Sequence, residues 1–361
     1  MASRTGRAWK RRPYGIGGRR ALMDKVRIGM IGCGTVACYG HLPALASLTD
    51  VVDLVAVSDL SESRLAELKE KYGIESTYTD YHDLLARDDI EAIGMAVPLP
   101  NHHQVVMDAA EAGKHVLGEK PIAPTVEQGQ EMVGAMKRAG KLFAINFELR
   151  ISEPHPEMKR LLDSGAIGEL KVIRCVGNWM GGRWAGDDRY RMLITEGLGP
   201  IVDCGIHYFD LGRYYSGSEY AEICAKGVYI EDWPNPDHVI ATCKMENGVM
   251  LLNENGWAYT HNTPQHEANL RYDLIGTEGL ISYHDSQCSI EGWGNRKELS
   301  VYTRGECFRR VINAPSKAFD LMYTLFAKSI RQGKLEGLPS GHDGVQALAA
   351  ALEALGQAKG E

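Results

Sequence analysis

A strand and turn near the start of the chain constrain its fold most strongly. Residues 26–31 form an apolar run suited to a buried strand, and Gly32, Gly34 and Ala37 follow with the spacing GxGxxA. Gly32 allows a tight turn, and Gly34 lets a phosphate approach the backbone. Ala37 lets the next helix, predicted over 36–48, pack closely. The free N–H groups at the start of that helix favour an anion. The pattern predicts a dinucleotide-binding turn.

A carboxylate after the second predicted strand indicates which dinucleotide binds. The strand over 51–57 ends at Ser58 and Asp59, and Asp59 lies 22 residues beyond Ala37. A carboxylate there accepts hydrogen bonds from the ribose hydroxyls and repels the additional phosphate of NADP, so NAD is the expected cofactor. Arg64 and Ser58 remain compatible with NADP. The alternative role of Asp59 is to cap the next helix. The cofactor contacts predicted in this part of the chain are Gly32, Gly34, Thr35, Val36, Ser58, Asp59 and Arg64.

Length and composition indicate a globular protein without a membrane span. The chain has 361 residues, of which 44% are hydrophobic and 24% charged, enough for two domains with their own cores. No apolar run reaches the roughly 20 residues needed to span a bilayer, and the N-terminus lacks the apolar region of a secretory signal. Eight cysteines show no CxxC pair, which favours reduced thiols in the cytoplasm.

The charge distribution argues against nucleic acid as a partner. Residues 1–22 carry seven basic residues and no acidic residue, although the whole chain has a formal charge of −7. The rest of the chain is therefore strongly acidic, which is unlike a protein that binds nucleic acid. We expect residues 1–22 to form a disordered, solvated extension.

The alternation of strands and helices continues to residue 147. Strands are predicted over 92–97, 115–117 and 142–147, with helices over 103–112 and 126–138. Such alternation predicts a parallel sheet with helices on both faces, which binds ligands beyond the carboxyl ends of its strands. Most lysines are solvated surface residues, but a lysine at the carboxyl end of a buried strand, such as Lys120, is not expected to be one. The predicted cofactor contacts at these ends are Val97, Pro98, His102, Glu119 and Lys120, and Arg150 is a candidate substrate contact.

Beyond residue 150 the pattern of elements changes. Strands follow one another without intervening helices until helices return over 319–331 and 344–355. This order predicts an α+β domain with a largely antiparallel sheet. We predict a first domain over 23–147 and a second over 148–361, with helix 344–355 packing back on the first. The strands predicted in the second domain cover residues 171–176, 238–242, 249–253, 271–275 and 280–283.

A polar constellation lies in the second domain. If residues 202–215 form one helix, Asp203, His207 and Asp210 occupy positions i, i+4 and i+7 on one face. Histidine is suited to exchange a proton near neutrality, and a carboxylate one turn away can orient it. The alternative is a structural histidine satisfied by its neighbours. His102, His103, Asp203 and His207 form no established metal motif, so no metal is expected.

Taken together, the motifs resemble the glucose-fructose oxidoreductase / inositol dehydrogenase / MocA family. The resemblance implies a Rossmann domain followed by an α/β domain whose open sheet forms a dimer or tetramer interface. It also implies that Lys120 hydrogen-bonds the reacting hydroxyl and the nicotinamide ribose, and that His207 is the general acid and base. Asp203 would position the substrate and the imidazole, and the Lys120–Pro121 bond would be cis. By the same resemblance Arg150 contacts substrate. The motifs that carry the resemblance span residues 32–37, 112–121, 164–168 and 203–211.

Two departures from the family pattern accompany this resemblance. Residues 97–99 read Val-Pro-Leu where Thr-Pro-Asn is common, which removes polar groups expected near the nicotinamide, and Gly118 replaces a frequent cysteine. We expect hydride transfer between NAD(P) and a secondary alcohol of a sugar, inositol, other polyol or sugar acid. An aromatic and basic loop that includes Trp184 is expected to contact that substrate. The alternatives are a dinucleotide sensor without catalysis and an NAD-using glycosidase.

Overall fold

The computed structural model of the protein describes residues 24–181, 185–257, 268–287, 296–312 and 317–361. Within these residues the chain forms a six-stranded sheet and an eight-stranded sheet. The sequence predicts a parallel and a largely antiparallel sheet but not these strand numbers. Within the described residues, no helix combines the length and apolar character needed to cross a membrane. The predicted extension over 1–22 lies outside the described residues.

The first sheet is the predicted parallel sheet. Its strand order is β3-β2-β1-β4-β5-β6, and every neighbouring pair is parallel. This order places the loops after β1 and β4 side by side, where the strand order reverses and ligands bind in such folds. The strands are β1 (Val26–Ile31), β2 (Val52–Ser58), β3 (Ser76–Tyr78), β4 (Ala92–Met95), β5 (His115–Gly118) and β6 (Phe143–Ile145).

Helices connect these strands, and the first of them differs from the prediction. A single helix is predicted over 36–48, but a π-helical turn, Ala37–His41, precedes a short α-helix. Such turns are often found at functional sites. This one directs His41 into the interior. The helices are α1 (Leu42–Ser47), α2 (Glu62–Tyr72), α3 (Tyr81–Leu85), α4 (His102–Glu111) and α5 (Val126–Arg138).

The second sheet is antiparallel except where β7 and β10 run parallel. Its order is β14-β13-β12-β11-β7-β10-β9-β8. Along β9, Val239, Ala241 and Cys243 are buried while Ile240 and Thr242 are exposed, so one face packs on the core and the other does not. The strands are β7 (Leu170–Asn178), β8 (Tyr220–Val228), β9 (His238–Met245), β10 (Met250–Gly256), β11 (Ala268–Gly276), β12 (Gly279–Gln287), β13 (Arg296–Thr303) and β14 (Cys307–Val311).

Sequence patterning does not predict strands β3, β8, β13 and β14. Strand β8 buries only Ile223 and Ala225, and Glu222 and Lys226 on its other face are exposed. Both β8 and β14 lie at sheet edges, where charged residues are common because they discourage pairing with other chains. Their apolar signal is therefore weak.

The C-terminal helices pack on both sheets. Phe319, Met322, Tyr323 and Phe326 bury their side chains against the first sheet, although sequence order places their helix in the second domain. The last helix contacts α5 and β6 as well as α9 and β8. The helices of this half are α6 (His155–Asp163), α7 (Asp187–Thr195), α8 (Gly199–Asp203), α9 (Gly205–Ser216), α10 (Phe319–Gln332) and α11 (Gly341–Lys359).

Candidate active site

The glycine turn after β1 fits a dinucleotide. Gly32 has φ +82°, and a Cβ atom there would lie 2.5 Å from the carbonyl oxygen of Ala96. A Cβ atom at Gly34 would meet no atom of the described residues within 4 Å. The tight turn therefore requires Gly32, and Gly34 leaves open space at the start of the helix that begins with Thr35 and Val36, where a pyrophosphate would bind.

The Asp59 carboxylate is held beside this turn. Its Oδ2 atom accepts a hydrogen bond from the Cys33 N–H at 2.8 Å, and Oδ1 accepts one from the Ser61 N–H at 2.9 Å. A carboxylate can accept about four hydrogen bonds, so the orientation leaves acceptor capacity for ribose hydroxyls. Ser61 caps α2 through the Arg64 N–H, so the alternative of Asp59 as that cap is wrong.

Ser58 and Arg64, the neighbouring predicted cofactor contacts, differ in their surroundings. The buried Ser58 contributes its carbonyl oxygen, which accepts the Gly32 N–H at 2.9 Å. The Arg64 guanidinium is half-exposed and donates to Glu67 at 3.0 Å. An exposed ion pair of this kind is weak, so Arg64 could leave Glu67 to bind another anion.

Replacing Asp59 by alanine should weaken NAD binding more than NADP binding. The lost carboxylate removes the acceptor for the ribose hydroxyls and also removes a charge that repels the NADP phosphate. We expect the dissociation constant for NAD to rise at least about tenfold, or ~1.4 kcal/mol. Calorimetric titration with both dinucleotides measures this, and Asp59→Asn is the matched control because it keeps one acceptor oxygen. A larger loss for NADP would contradict the assignment.

The loop after β4 is tied to the loop after β5 by His102. This buried side chain places Nδ1 2.9 Å from the Pro121 carbonyl oxygen and Nε2 3.0 Å from the Val97 carbonyl oxygen. Both ring nitrogens are used within the protein, so the prediction that His102 contacts the cofactor directly has no support. It instead positions Val97 and the exposed Pro98 at the mouth of the site.

Lys120 joins the two halves of the chain. Its Nζ atom donates hydrogen bonds to Oδ1 of Asp203 at 2.9 Å and to the Asp203 carbonyl oxygen at 2.8 Å. Burial alone would lower the pKa of Lys120, but the Asp203 carboxylate outweighs it and the pKa is raised. Lys120 therefore carries a positive charge in this site. The peptide bond between Lys120 and Pro121 is cis, as the resemblance implies.

Glu119 faces a buried network that the sequence did not reveal. Its Oε1 atom accepts hydrogen bonds from His41 Nε2 at 2.8 Å and Asn146 Nδ2 at 2.6 Å, and His41 Nδ1 lies 2.7 Å from the Tyr323 hydroxyl. Burial would raise the pKa of Glu119, but the His41 hydrogen bond lowers it to about 2. The network fixes the backbone next to Lys120, while a cofactor contact by Glu119 remains a prediction.

The predicted helix over 202–215 is interrupted. Helix α8 ends at Asp203 and α9 begins at Gly205. In a continuous helix the Asp203 carbonyl would accept the His207 N–H. Here the Asp203 carbonyl oxygen accepts a hydrogen bond from Lys120 Nζ instead, and the backbone N–H of His207 donates to the Cys204 carbonyl oxygen at 3.1 Å. Asp203 therefore lies in a different helix from His207 and Asp210, so the prediction of one continuous helix is wrong.

Each residue of the predicted polar stripe has a different partner. Asp203 pairs with Lys120, and Asp210 accepts two hydrogen bonds from Arg150, both at 2.7 Å. The carboxylate beside His207 is that of Glu148, whose Oε2 atom lies 3.8 Å from His207 Nε2. Glu148 directly follows a strand end that the sequence marks for attention, but nothing in the sequence pairs it with His207.

His207 is a buried, neutral imidazole. It is 8% exposed, the Phe147 ring packs edge-on against it at 5.6 Å, and its Nδ1 atom has no hydrogen-bond partner among the described residues. Burial lowers the pKa of His207 to about 4 although Glu148 opposes this. At neutral pH one ring nitrogen therefore carries a lone pair that can accept a proton.

Arg150 connects structural elements around the site through ion pairs. Besides the bidentate pair with Asp210, its Nη2 atom donates to Asp343 in α11 at 3.1 Å. These pairs connect the end of β6 to α9 and α11, and the structure gives no support to the prediction that Arg150 contacts substrate. Trp184, the other predicted substrate contact, lies outside the described residues. Those residues contain no group of three or more side chains arranged to hold a metal ion.

Comparisons with known proteins show the family to which the chain belongs. The model of the Gfo/Idh/MocA oxidoreductase family with an NAD-binding Rossmann fold matches residues 26–147, and the Gfo/Idh/MocA C-terminal domain matches residues 155–282. Myo-inositol 2-dehydrogenase of Thermotoga maritima is 28% identical over 71% of this chain and 74% of its own. Inositol 2-dehydrogenase of Burkholderia cenocepacia is 28% identical over 90% of this chain and 92% of its own.

Solved structures share the fold over nearly the whole chain. The apo scyllo-inositol dehydrogenase of Lactobacillus casei superimposes with a TM-score of 0.74 at 24% identity, over 92% of this chain and 96% of its own. An aldose-aldose oxidoreductase of Caulobacter crescentus gives a TM-score of 0.78 at 21% identity, over 93% and 98%. With both domains matched in order along the chain, the protein belongs to the Gfo/Idh/MocA family of oxidoreductases and has an NAD-binding Rossmann domain.

Proposed function

We propose that this oxidoreductase removes hydride from the carbon that bears a secondary hydroxyl of a cyclic polyol, with an inositol as the first candidate. The observation that carries the proposal is the contact between Lys120 and Asp203, which brings an ammonium group from the NAD-binding half to the segment that holds His207. The relatives at 28% identity are named as inositol dehydrogenases, which supports a polyol over other alcohols.

Lys120 and His207 divide the chemistry at the hydroxyl between them. Lys120 is charged and donates a hydrogen bond to the hydroxyl oxygen, which stabilises the alkoxide character that develops there. His207 is neutral and, as general base, accepts the hydroxyl proton on the ring nitrogen that carries the lone pair. Bound NAD supplies the hydride acceptor. Asp203 keeps Lys120 charged and fixes its direction, so it is a positioning residue in this scheme.

A substrate panel tests this function. NADH formation is followed spectrophotometrically with myo-inositol, scyllo-inositol, glucose and a sugar acid at equal concentrations, with Lys120→Ala as the inactive control. We expect at least one cyclic polyol to support turnover with NAD. The absence of NADH with every compound, despite measurable NAD binding, would contradict the proposal and favour a dinucleotide sensor.

We further infer that the chain assembles as a homodimer or homotetramer through the second sheet. Large apolar side chains are exposed on the face of this sheet that is not packed on the core, including Ile240 at 44% and Met250 at 39%. An open sheet face that carries exposed apolar side chains supports an interface between subunits. A mass in solution of two or four times 39.8 kDa would agree with this inference, and a monomer would contradict it.

We place the protein in the cytoplasm. All seven cysteines of the described residues are free thiols. Free thiols in this number are typical of proteins from reducing compartments.

A further inference from the structure

We propose that Glu148 and Lys317 form the route by which the proton taken up by His207 leaves the active site. The inference rests on the proposed role of His207 as the general base, and it assigns a function to two residues outside the expected catalytic set. Glu148 follows β6 in the first half of the chain, and Lys317 precedes α10.

A route is needed because each oxidation leaves one proton on a buried group. Removing hydride from a secondary alcohol yields a ketone, reduced cofactor and one proton. The His207 side chain is only 10% exposed, so it has little direct access to water. A neighbouring group must accept the proton before the next cycle begins.

The distances form a chain from the buried imidazole to the surface. Glu148 places Oε2 3.8 Å from His207 Nε2 and Oε1 3.4 Å from Lys317 Nζ. Lys317 Nζ in turn donates a hydrogen bond to the Tyr39 hydroxyl at 3.0 Å. The side chains of His207 and Glu148 are 10% and 4% exposed, whereas those of Lys317 and Tyr39, at the other end of the chain, are 44% and 41% exposed. Glu148 therefore spans the distance between the base and solvent.

The two nitrogens of His207 differ in their surroundings. A neutral imidazole has one N–H and one lone pair. Nδ1 is buried and has no partner among the described residues, whereas Nε2 lies 3.8 Å from Glu148 Oε2, so Nε2 is the nitrogen that exchanges the proton. The hydroxyl proton goes to Nε2 and passes from there to Glu148, and Glu148 releases it to water beside Lys317. Contacts of this length commonly shorten when substrate binds.

Lys317 assists without carrying the proton. Burial would raise the pKa of Glu148, but His207 and then Lys317 lower it, so the carboxylate is restored after each release. Lys317 itself is a cation and cannot accept a proton from Glu148. Its charge favours the ionised carboxylate, and its exposure provides the contact with solvent.

The other charged groups near His207 are less suited to this role. Asp203 uses one oxygen for Lys120 and the other for the Cys204 thiol at 3.3 Å. Glu119 is held by His41 and Asn146. The titratable groups whose fields reach His207 are Glu148, Glu119, Asp203, Lys120, Lys317 and His155.

Proton release during turnover tests the route directly. A pH indicator in weak buffer reports the proton and absorbance reports NADH, both after rapid mixing of enzyme, NAD and the polyol found active. In the wild type the two signals should rise together. In Glu148→Gln we expect a first turnover of NADH followed by proton release that is slower by about tenfold or more. Glu157→Gln, in α6 and paired with Arg160, is the control. Simultaneous release in Glu148→Gln would overturn the proposal.

A measurement without turnover separates this route from a structural role. Burial lowers the pKa of His207, Glu148 raises it, and Lys317 lowers it. Titration of the His207 imidazole by NMR in the free enzyme should therefore show a lower pKa in Glu148→Gln and a higher pKa in Lys317→Met. Shifts of the same sign, or none, would contradict the proposed contacts. Full activity of a His207→Ala variant would instead refute the proposed function, so the two failures are distinguishable.

Discussion

Replacing Lys120 by alanine is expected to reduce turnover about 1,000-fold, or ~4 kcal/mol of transition-state stabilisation. The variant loses the ammonium group that stabilises the negative charge developing on the hydroxyl oxygen. Affinity for NAD should stay within severalfold, because the glycine turn and Asp59 hold the opposite end of the dinucleotide. Steady-state kinetics and calorimetric NAD binding together measure both quantities.

Two comparisons make the Lys120 result specific. Lys137→Ala removes a lysine from the last turn of α5, away from the site, and should leave turnover unchanged. Asp203→Asn keeps the size of the side chain and weakens the contact to Lys120, so it should lower turnover by a smaller factor than Lys120→Ala. Unchanged turnover in Lys120→Ala would remove this residue from the chemistry.

Replacing His207 by alanine should reduce turnover by about 100- to 10,000-fold, the range typical of a lost general base. Oxidation requires the neutral imidazole, and burial lowers the pKa of His207 to about 4. In the wild type, kcat/KM should therefore fall as the pH falls through this pKa. At pH values above this pKa, His207 should cause no decrease in kcat/KM. The variant should lose this acid limb. Rates measured across the acid and neutral range provide the test.

His103→Ala is the matched control for His207. His103 lies near the surface on α4, where it contacts Glu131, so its loss should change neither turnover nor the acid limb. An acid limb that persists unchanged in His207→Ala would show that another group accepts the proton. Unchanged turnover in that variant would end the assignment of a base to this position.

Local patterns were sufficient to predict the cofactor turn and the first sheet apart from its edge strand β3. Gly32 and Gly34 act through the backbone geometry of one turn, and Lys120 is fixed by the end of a buried strand, so neighbouring residues carry this information. The alternation of strands and helices also predicts the parallel sheet, because each element must bury one face. These features depend on short stretches of chain.

The remaining parts of the site depend on contacts between distant residues. His41 meets Tyr323 across 282 positions, and Lys120 meets Asp203 across 83. The contact from Lys120 also explains the interrupted helix, since it takes the Asp203 carbonyl that a continuous helix would use. Periodicity describes a helix by its own residues, and it cannot include a lysine from another domain. Glu148 and His207 are also far apart in the sequence, so periodicity cannot predict their contact.

A crystal structure with NAD and the polyol found active would show the catalytic geometry itself. We expect Lys120 Nζ and a ring nitrogen of His207 both to lie within about 3.5 Å of one hydroxyl oxygen. The carbon that bears this hydroxyl should face the nicotinamide ring. A polyol bound with either nitrogen far from every hydroxyl, or with the nicotinamide on the other side of the sheet, would refute the roles of Lys120 and His207.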